Sequence, residues 1–438
     1  MSKPKEYSWM TKDKLMTYTF IALAILAAVS AISWWPTSII VSIIAVGVAV
    51  ALDFLLSLGM KNRGPLNTMS AAVFGLIVSL SYTLTTTSPL IASYAGMPEL
   101  LPMEAPMAYV YVAIIAAIGM VVFKKLQGLL GRKYVNPAAT AKLLVFLPFL
   151  KTVLEPSGHQ MISLTAPILF SGTPALPSFG CLVQSCFANT GYATGSVSPA
   201  DFFTTVILLK YHSWIGGASS IAVIVVGLGL FVLCRGYIKW RITLAYLVTT
   251  AVMALIMTGI YGGDALLRVG FELFIGSSIF LAFFMATDPA TTPLTYVGQG
   301  IFGVGLGILT VLIQTYMNFL GGSILALVIM NLTSPLLDRV GKLHPITEKK
   351  EPKLPKAKPF ATVKTYECIR CGACMRICCH KLSPILVKQA FDKGKLEAAR
   401  KLQANLCEGC GHCTFVCPAR IDLRNTMLRA KGALRTMQ

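Results

Sequence analysis

Two cysteine runs near the C-terminus decide the fold of the last part of this chain. They read Cys368-Ile369-Arg370-Cys371-Gly372-Ala373-Cys374-Met375-Arg376-Ile377-Cys378 and Cys407-Glu408-Gly409-Cys410-Gly411-His412-Cys413-Thr414-Phe415-Val416-Cys417-Pro418. Both runs have the spacing C-x2-C-x2-C-x3-C, which holds cubane iron–sulfur clusters because four thiolates must converge on one [4Fe–4S] core. In proteins with two such clusters, the fourth cysteine of each run ligates the cluster of the other run.

This crossover predicts two ligand sets of four thiolates each. They are Cys368, Cys371, Cys374 and Cys417 for the first cluster, and Cys407, Cys410, Cys413 and Cys378 for the second. The alternatives are structural zinc, disulfide bonds and chance. Zinc rarely needs two matched four-cysteine runs, and disulfides are rare in a cytosolic domain. The sequence therefore predicts an electron-transfer protein in which eight of the twelve cysteines ligate iron.

The residues around the two runs complete the predicted cluster domain. The stretch between them is rich in Ala, Leu, Lys and Glu, and Gly394 divides it into two short helices. This pattern favours an α-helical ferredoxin domain over residues 366–438. Cys379 occupies the position after Cys378 where ferredoxins usually have proline; either thiol could reach iron, although the regular spacing favours Cys378. His380 is predicted to lie on the surface and not to ligate iron.

The remainder of the chain has the composition of a membrane protein. Apolar residues make up 55% of the sequence and charged residues 13%, and the mean hydropathy is +0.69. A bilayer core of about 30 Å needs about 20 apolar helical residues. Ten stretches before residue 340 are long enough, which predicts an all-α membrane protein with ten transmembrane helices: 15–34, 37–58, 68–88, 107–123, 137–154, 215–234, 241–261, 265–286, 297–317 and 320–337.

The distribution of the net charge of +20 favours a membrane topology and excludes nucleic-acid binding. Lys and Arg cluster in the N-terminal segment and in alternate loops, as the positive-inside rule requires. Ten spans between these clusters place both termini in the cytoplasm. Residues 341–365 form a basic, Pro-rich linker with too little apolar surface to fold alone.

Four segments of the membrane part carry a family resemblance. They are Tyr134-Val135-Asn136-Pro137-Ala138, Phe284-Met285-Ala286-Thr287-Asp288-Pro289-Ala290-Thr291-Thr292-Pro293, Gly300-Ile301-Phe302-Gly303-Val304-Gly305 and Met330-Asn331-Leu332. Together they resemble the D subunit of the Rnf complex and the B subunit of the sodium-pumping NADH:quinone reductase, over about residues 15–340. The tail separately resembles the C-terminal iron–sulfur segment of the Rnf complex's C subunit. The chain thus resembles a fusion of two pieces that the family usually keeps on separate polypeptides.

The resemblance implies a fold and a flavin. The family fold has two five-helix halves of opposite orientation, and members carry FMN (flavin mononucleotide) joined by a phosphoester to a Thr in the outer loop after the fifth span. The corresponding loop, about 155–214, contains an Ala-Thr pair, so Thr194 is the predicted covalent FMN site. Gly191, Tyr192 and Gly195 depart from the family motif. A second, non-covalent flavin is left open.

Other residues of the membrane part have two interpretations. Asn136 and Asp288 each precede a proline in segments that weakly resemble each other, and they are interpreted either as helix caps or as neighbours of a flavin. Asp53, and Arg268 with Glu272, are ionisable groups in the apolar layer, which either mark an ion path or neutralise each other. The glycines Gly303, Gly305 and Gly307 predict close helix packing. Cys181 and Cys186, in the outer loop, favour a disulfide.

The leading hypothesis is a subunit of an Rnf-like ion-translocating oxidoreductase in a prokaryotic cell membrane, not a complete enzyme alone. Electrons would pass between a cytoplasmic partner, the two clusters and membrane flavin, coupled to Na⁺ or H⁺ movement. The partners would be other membrane and soluble subunits, with a soluble ferredoxin or iron–sulfur reductase as donor or acceptor. The alternatives are a redox-inert membrane anchor for a soluble oxidoreductase, and a transporter with a redox-sensing tail.

Overall fold

The structure, a computed structural model, describes residues 10–59, 68–82, 107–127, 133–146, 214–261, 265–274, 278–316, 322–340 and 365–436. Its secondary structure is helical, and no β-strand occurs within these ranges. The predicted flavin site Thr194 and the cysteines Cys181 and Cys186 lie outside the described residues, so the predictions about them stay predictions.

The membrane part consists of helices that coincide with the predicted apolar stretches. Six are long and apolar enough to cross a bilayer: α1 (Lys12–Trp34), α2 (Thr37–Gly59), α4 (Met107–Ile118, continued by a π-helix, Gly119–Leu126), α7 (Trp240–Tyr261), α9 (Tyr296–Tyr316) and α10 (Gly322–Val340). The shorter ones are α3 (Thr68–Leu80), α5 (Pro137–Phe146), α6 (Ser220–Leu233) and α8 (Ala265–Phe274), which is followed by the turn Ser278–Phe280 and a π-helix, Leu281–Met285. The chain is therefore a multi-pass membrane protein, and the count of ten crossings remains a prediction.

The helices pack in two groups with matching contacts. In the first group α2 packs on α3 and α4, and α5 on α4; in the second, α7 packs on α8 and α9, and α10 on α9. Across the groups, α1 contacts α6 and α5 contacts α10. Each helix of the first group thus has a counterpart five helices later, which is the pattern that a five-helix repeat produces.

The glycines of α9 let its neighbours approach closely, as the sequence predicts. A Cβ atom built on Gly303 would lie 2.6 Å from the Cβ atom of Ala245 and 2.8 Å from the carbonyl oxygen of Ile242, both on α7. A Cβ atom on Gly305 would lie 2.7 Å from the Cε atom of Met330 on α10. The backbone of α9 therefore lies against both helices, and the prediction of close packing is confirmed.

Substituting Gly303 by alanine is expected to destabilise the membrane part. The added methyl group would collide with the backbone of α7, and overpacking of this kind costs about 1–3 kcal/mol. On the same helix, a Cβ atom at Gly300 meets nothing within 4 Å, so Gly300→Ala should leave stability unchanged or raise it, since alanine favours helix. Thermal unfolding in detergent compares the two variants, and equal melting temperatures would contradict this packing.

Residues 365–436, here named the C-terminal unit, form a small helical body. Its helices are α11 (Ala373–Arg376), α12 (Pro384–Asp392), α13 (Leu396–Lys401), α14 (His412–Phe415) and α15 (Leu423–Arg435). Gly394, with φ +66°, separates α12 from α13, as the sequence predicts. An apolar core that includes Leu382, Val387 and Met427 packs these helices together.

The C-terminal unit lies against one end of the helix bundle. The backbone N–H of Lys12, the first residue of α1, donates to the carbonyl oxygen of Pro418 (2.9 Å). The hydroxyl group of Tyr237, after α6, is 3.4 Å from the carbonyl oxygen of Val416. Arg370 pairs with Asp338 near the end of α10. The start of α1 and the end of α10 therefore lie on the same side of the bundle.

Candidate functional site

The first cavity of the C-terminal unit is lined by one of the two predicted thiol sets. Four cysteines surround it, together with apolar side chains such as Ile385 and Leu423, and it encloses about 340 Å³ including the solvent at its mouth. The four are Cys368, Cys371, Cys374 and Cys417. Cys371, Cys374 and Cys417 are buried, so this cavity is largely shielded from water.

The second cavity is lined by the other predicted set. The four cysteines are Cys378, Cys407, Cys410 and Cys413, and the cavity encloses about 400 Å³ counted in the same way. Cys410 is exposed, and polar groups including Glu408 and His412 also line the wall. This cavity is therefore the more accessible of the two.

The two runs have the same local backbone. Arg370 and Gly372 in the first run have φ of +55° and +73°, and Gly409 and Gly411 in the second have +72° and +84°. These left-handed residues curl the chain around its first cysteine, so the amide of Arg370 points at the sulfur of Cys368 (3.3 Å). The corresponding amide of Gly409 points at the sulfur of Cys407 (3.4 Å). Amide–sulfur contacts of this type stabilise a thiolate.

Two observations concern the alternatives of disulfide bonds and single metal ions. None of the ten described cysteines is in a disulfide. Thiolates around one zinc ion would lie about 3.8 Å apart, because the Zn–S bond is about 2.3 Å. In the described part of the chain, the group of ligand atoms within 4.8 Å of one another is that of Cys379, Cys410 and His412, of which Cys410 alone belongs to a predicted set. Neither predicted set is such a group within the described residues, and the choice between zinc and an iron–sulfur cluster stays with the spacing of the two runs.

Burial controls the protonation of these thiols. It raises the pKa of Cys371 and of Cys413 to about 12, and it also raises the pKa of Cys368, Cys374, Cys378, Cys407 and Cys417. Neutral thiols are poor ligands, so the positive charge of a metal must offset the burial, and binding would release protons. Residues with this chemistry fit a cationic iron–sulfur core; that they ligate one stays a prediction.

Cys379 and His380 stand at the rim of the second cavity. Cys379 is exposed and lines this cavity together with Cys378. The preference for Cys378 as the ligand therefore still rests on the regular spacing of the run. His380 is partly buried at the surface: its side chain is 13% exposed, and its Nε2 atom lies 2.5 Å from a carboxylate oxygen of Glu408. That it does not ligate iron stays a prediction. The carboxylate holds the ring against the second run.

The first cavity borders the membrane part directly. Leu294, in the loop between the π-helix after α8 and helix α9, belongs to the same buried apolar cluster as Cys374 and Cys417. A Cβ atom built on Gly372 of the first run would lie 3.6 Å from the carbonyl oxygen of Leu294. Asp338 holds this loop and the first cysteine run together: its Oδ1 atom accepts the Leu294 amide (2.6 Å), and its Oδ2 atom lies 3.3 Å from the Arg370 guanidinium. Cys371 belongs to the same continuous apolar core as the membrane helices.

A buried lysine shapes the loop that carries Leu294. The Nζ atom of Lys239 donates to the carbonyl oxygens of Pro289 (3.0 Å) and Thr292 (2.9 Å) and to the hydroxyl oxygen of Thr292 (2.9 Å). From the sequence, Lys239 is one of several basic loop residues, yet its exposure is 1%. The local sequence does not predict that Lys239 is buried, because the nearest of its hydrogen-bond partners lies 50 residues further along the chain.

Asn136 caps a helix in the structure, whereas Asp288 closes a turn. The Oδ1 atom of Asn136 accepts the amides of Ala138 and Ala139 at the start of α5, and Asp288 accepts the amide of Ala290. Asn136 precedes the fifth helix and Asp288 the ninth, so a five-helix repeat does not relate the two segments. They nevertheless meet, because the Nδ2 atom of Asn136 lies 3.4 Å from the carbonyl oxygen of Met285. A flavin near them remains a prediction.

The intramembrane acid Asp53 has a partner that the sequence does not reveal. Its Oδ1 atom lies 2.5 Å from the Nζ atom of Lys125, in the π-helix that continues α4. This ion pair neutralises Asp53, which the sequence leaves as a candidate for an ion path. Lys124 beside it donates to the carbonyl oxygen of Ser70 (2.6 Å).

The fold and the two cavities define a class of protein: a multi-pass membrane protein whose helical C-terminal unit brings two groups of four cysteines to one end of the bundle. A family model matches residues 2–346, and the chain belongs to the NQR2, RnfD, RnfE family. Residues 347–438, with both cysteine runs, lie beyond this match.

Individual relatives are similar over most of the membrane part. The chain is 28% identical to the D subunit of the Na(+)-translocating ferredoxin:NAD(+) oxidoreductase complex of Acetobacterium woodii, over 77% of this chain and 93% of the relative. It is 30% identical to the D subunit of the proton-translocating ferredoxin:NAD(+) oxidoreductase complex of Clostridium ljungdahlii, over 52% and 66%. It is 26% identical to the D subunit of the ion-translocating oxidoreductase complex of Escherichia coli, over 75% and 94%. The resemblance to the D subunit of the Rnf complex is thereby confirmed.

Proposed function

We propose that this chain carries electrons between a soluble cytoplasmic protein and the membrane part of an Rnf-like complex, and that the transfer is coupled to movement of Na⁺ or H⁺. Two [4Fe–4S] clusters would be held by the two cysteine sets. The observation that carries the proposal is the apolar cluster that Leu294 shares with Cys374 and Cys417. Asp338 fixes Leu294 and Arg370 beside each other, so the wall of the first cavity lies against the membrane part.

The two cavities suggest an order of transfer. The first is buried and borders the loop between α8 and α9, whereas the second has an exposed cysteine, Cys410. A soluble ferredoxin or iron–sulfur reductase would therefore exchange electrons with the second cluster, and the first would exchange them with the membrane part. The C-terminal unit is rich in basic side chains, including Arg376, Lys381 and Arg424, which favours an acidic partner by electrostatic steering.

The membrane part would supply the next acceptor. The family resemblance implies ten crossings in two inverted halves, with covalent FMN on Thr194 in an outer loop, and both termini in the cytoplasm. The paired contacts α1 with α6 and α5 with α10 support the two-half arrangement. Fusing the C-terminal unit to the helices through residues 341–365 keeps the clusters at high effective concentration beside the membrane.

The covalent flavin separates this proposal from a redox-inert anchor and from a transporter with a redox-sensing tail. The purified chain, produced with a flavin transferase and denatured, should fluoresce under ultraviolet light in a gel, because a phosphoester bond survives denaturation. Thr194→Ala should abolish the band, and Thr190→Ala in the same loop should keep it. A dark wild-type band together with no released flavin would favour the redox-inert alternatives.

A further inference from the structure

Four buried oxygen-bearing side chains meet inside the second group of membrane helices. They are Tyr246 of α7, Glu272 of α8, Ser278 after α8 and Thr310 of α9, and none is more than 4% exposed. The Tyr246 hydroxyl group lies near the hydroxyl groups of Ser278 and Thr310, and near enough to Glu272 for the carboxylate to act on it electrostatically. Three helices and the turn Ser278–Phe280 thus direct oxygen atoms towards one region.

These oxygens lack partners in the described part of the chain. The atoms are Tyr246 Oη, Glu272 Oε2, Ser278 Oγ and Thr310 Oγ1. A buried polar group without a hydrogen bond is costly and calls for an explanation. Other buried hydroxyl groups of α7 are bonded: Thr258 donates to Ala254 (2.9 Å) and Thr243 to Ala282 (2.6 Å). On α7, the unpartnered hydroxyl group of Tyr246 is therefore a property of this cluster and not of the helix.

We infer that these four side chains form a binding site for a sodium ion. A hard cation takes carboxylate and neutral oxygen ligands together, and one carboxylate with three hydroxyl groups provides them. The hydroxyl groups of Ser278 and Thr310 lie close enough to Tyr246 to interact with it, but none of the four oxygens has a hydrogen bond of ordinary geometry within the described residues. Oxygens that are close together and poorly bonded to one another are the arrangement expected around an ion. The inference rests on the proposed ion-translocating function and names the residues at which the ion is held.

Arg268 moderates the affinity of this site. It lies one helical turn before Glu272 and contributes positive potential at the carboxylate, although the Oε2 atom of Glu272 accepts no hydrogen bond from the described residues. A nearby fixed cation weakens sodium binding without removing the ligands. Weak binding suits a translocation site, because the ion must enter and also leave.

A short stretch of chain joins the proposed sodium site to Leu294, which lies beside the first cavity. Ser278 begins the turn that continues as the π-helix Leu281–Met285 and then as the loop that carries Leu294. The hydroxyl group of Thr243, one turn before Tyr246, bonds the carbonyl oxygen of Ala282 in this π-helix (2.6 Å). A displacement of Leu294 on cluster reduction would therefore be passed along this stretch to the ligands.

Binding of radioactive sodium to the purified full-length chain tests the site. Wild-type protein in detergent should show saturable binding that excess unlabelled Na⁺ displaces and K⁺ at equal ionic strength does not. Glu272→Gln and Thr310→Val should each lower the affinity, by roughly 10- to 100-fold. Thr258→Val is the matched control, since that hydroxyl group is already bonded to the helix backbone; its affinity should equal that of wild type.

Gel filtration and iron analysis of the same preparations separate a binding defect from misfolding. Correctly folded Glu272→Gln protein that binds sodium as wild type does would overturn the site. So would an equal loss in Thr258→Val, or wild-type protein that binds no sodium. If such wild-type protein still holds both clusters and flavin, the sodium site fails while the proposed electron transfer stands.

Discussion

Replacing Cys417 with alanine should remove the first cluster and halve the iron content, from about eight to about four atoms per chain. Cys417 belongs to the second run in the sequence, yet it lines the first cavity beside Cys368, Cys371 and Cys374. Loss of one thiolate leaves a cubane iron without its protein ligand in a site that excludes most water. Iron and sulfide analysis, with electron paramagnetic resonance of the reduced protein, measures which cluster remains.

Matched variants test whether the fourth cysteine of each run ligates the cluster of the other run. Cys378→Ala should remove the second cluster and keep the first, so its resonance spectrum should differ from that of Cys417→Ala. Cys234→Ala, a buried cysteine at the end of α6 outside both cavities, should keep both clusters. If Cys378→Ala also keeps about eight iron atoms, Cys379 has taken its place. Identical spectra for the Cys417 and Cys378 variants would contradict the predicted ligand sets.

Asp338→Asn should slow electron transfer between the first cluster and the membrane part by roughly tenfold or more, with the iron content unchanged. The carboxylate binds the Leu294 amide and pairs with Arg370, both in a buried setting. Removing one partner of a buried ion pair costs about 3–5 kcal/mol. The first run would therefore lose its fixed position against Leu294. Rapid-mixing measurements of membrane flavin reduction, after addition of reduced ferredoxin, report the rate.

Asp392→Asn is the control for this variant. Its carboxylate pairs with Lys388 on the surface of α12, where ion pairs contribute little. Its electron-transfer rate should match wild type, although it makes the same chemical change. A normal rate in Asp338→Asn, with intact clusters, would show that electrons do not pass through the contact at Leu294.

The features that the sequence predicts well are those fixed by short-range spacing. Cysteine spacing sets the curl of each run, so the two thiol sets and the break at Gly394 could be anticipated. The glycines of α9 likewise predict close packing of the neighbouring helices. Contacts between distant segments could not be anticipated: the pairs of Lys239 with Thr292, Asp53 with Lys125 and Asp338 with Arg370 each join residues that follow no common period.

The cluster of Tyr246, Glu272, Ser278 and Thr310 shows the same limit. Each hydroxyl residue alone fits an ordinary apolar helix, because a single Ser or Thr hydroxyl group can donate a hydrogen bond to a carbonyl oxygen of the preceding turn. Only the packing of α7, α8 and α9 brings these side chains together and leaves their oxygens unbonded. A hydropathy profile treats each span separately, so it detects Glu272 and misses the hydroxyl groups around it.

The hydrogen bond between Lys12 and Pro418 has a consequence for biogenesis. Lys12 is synthesised long before Pro418, and domains generally fold in the order in which they are made. The surface that receives the C-terminal unit combines the start of α1, the segment after α6, the loop before α9 and the end of α10. That surface is complete only when α10 has inserted, so the C-terminal unit can dock fully only on a bundle in which all four of these parts are in place.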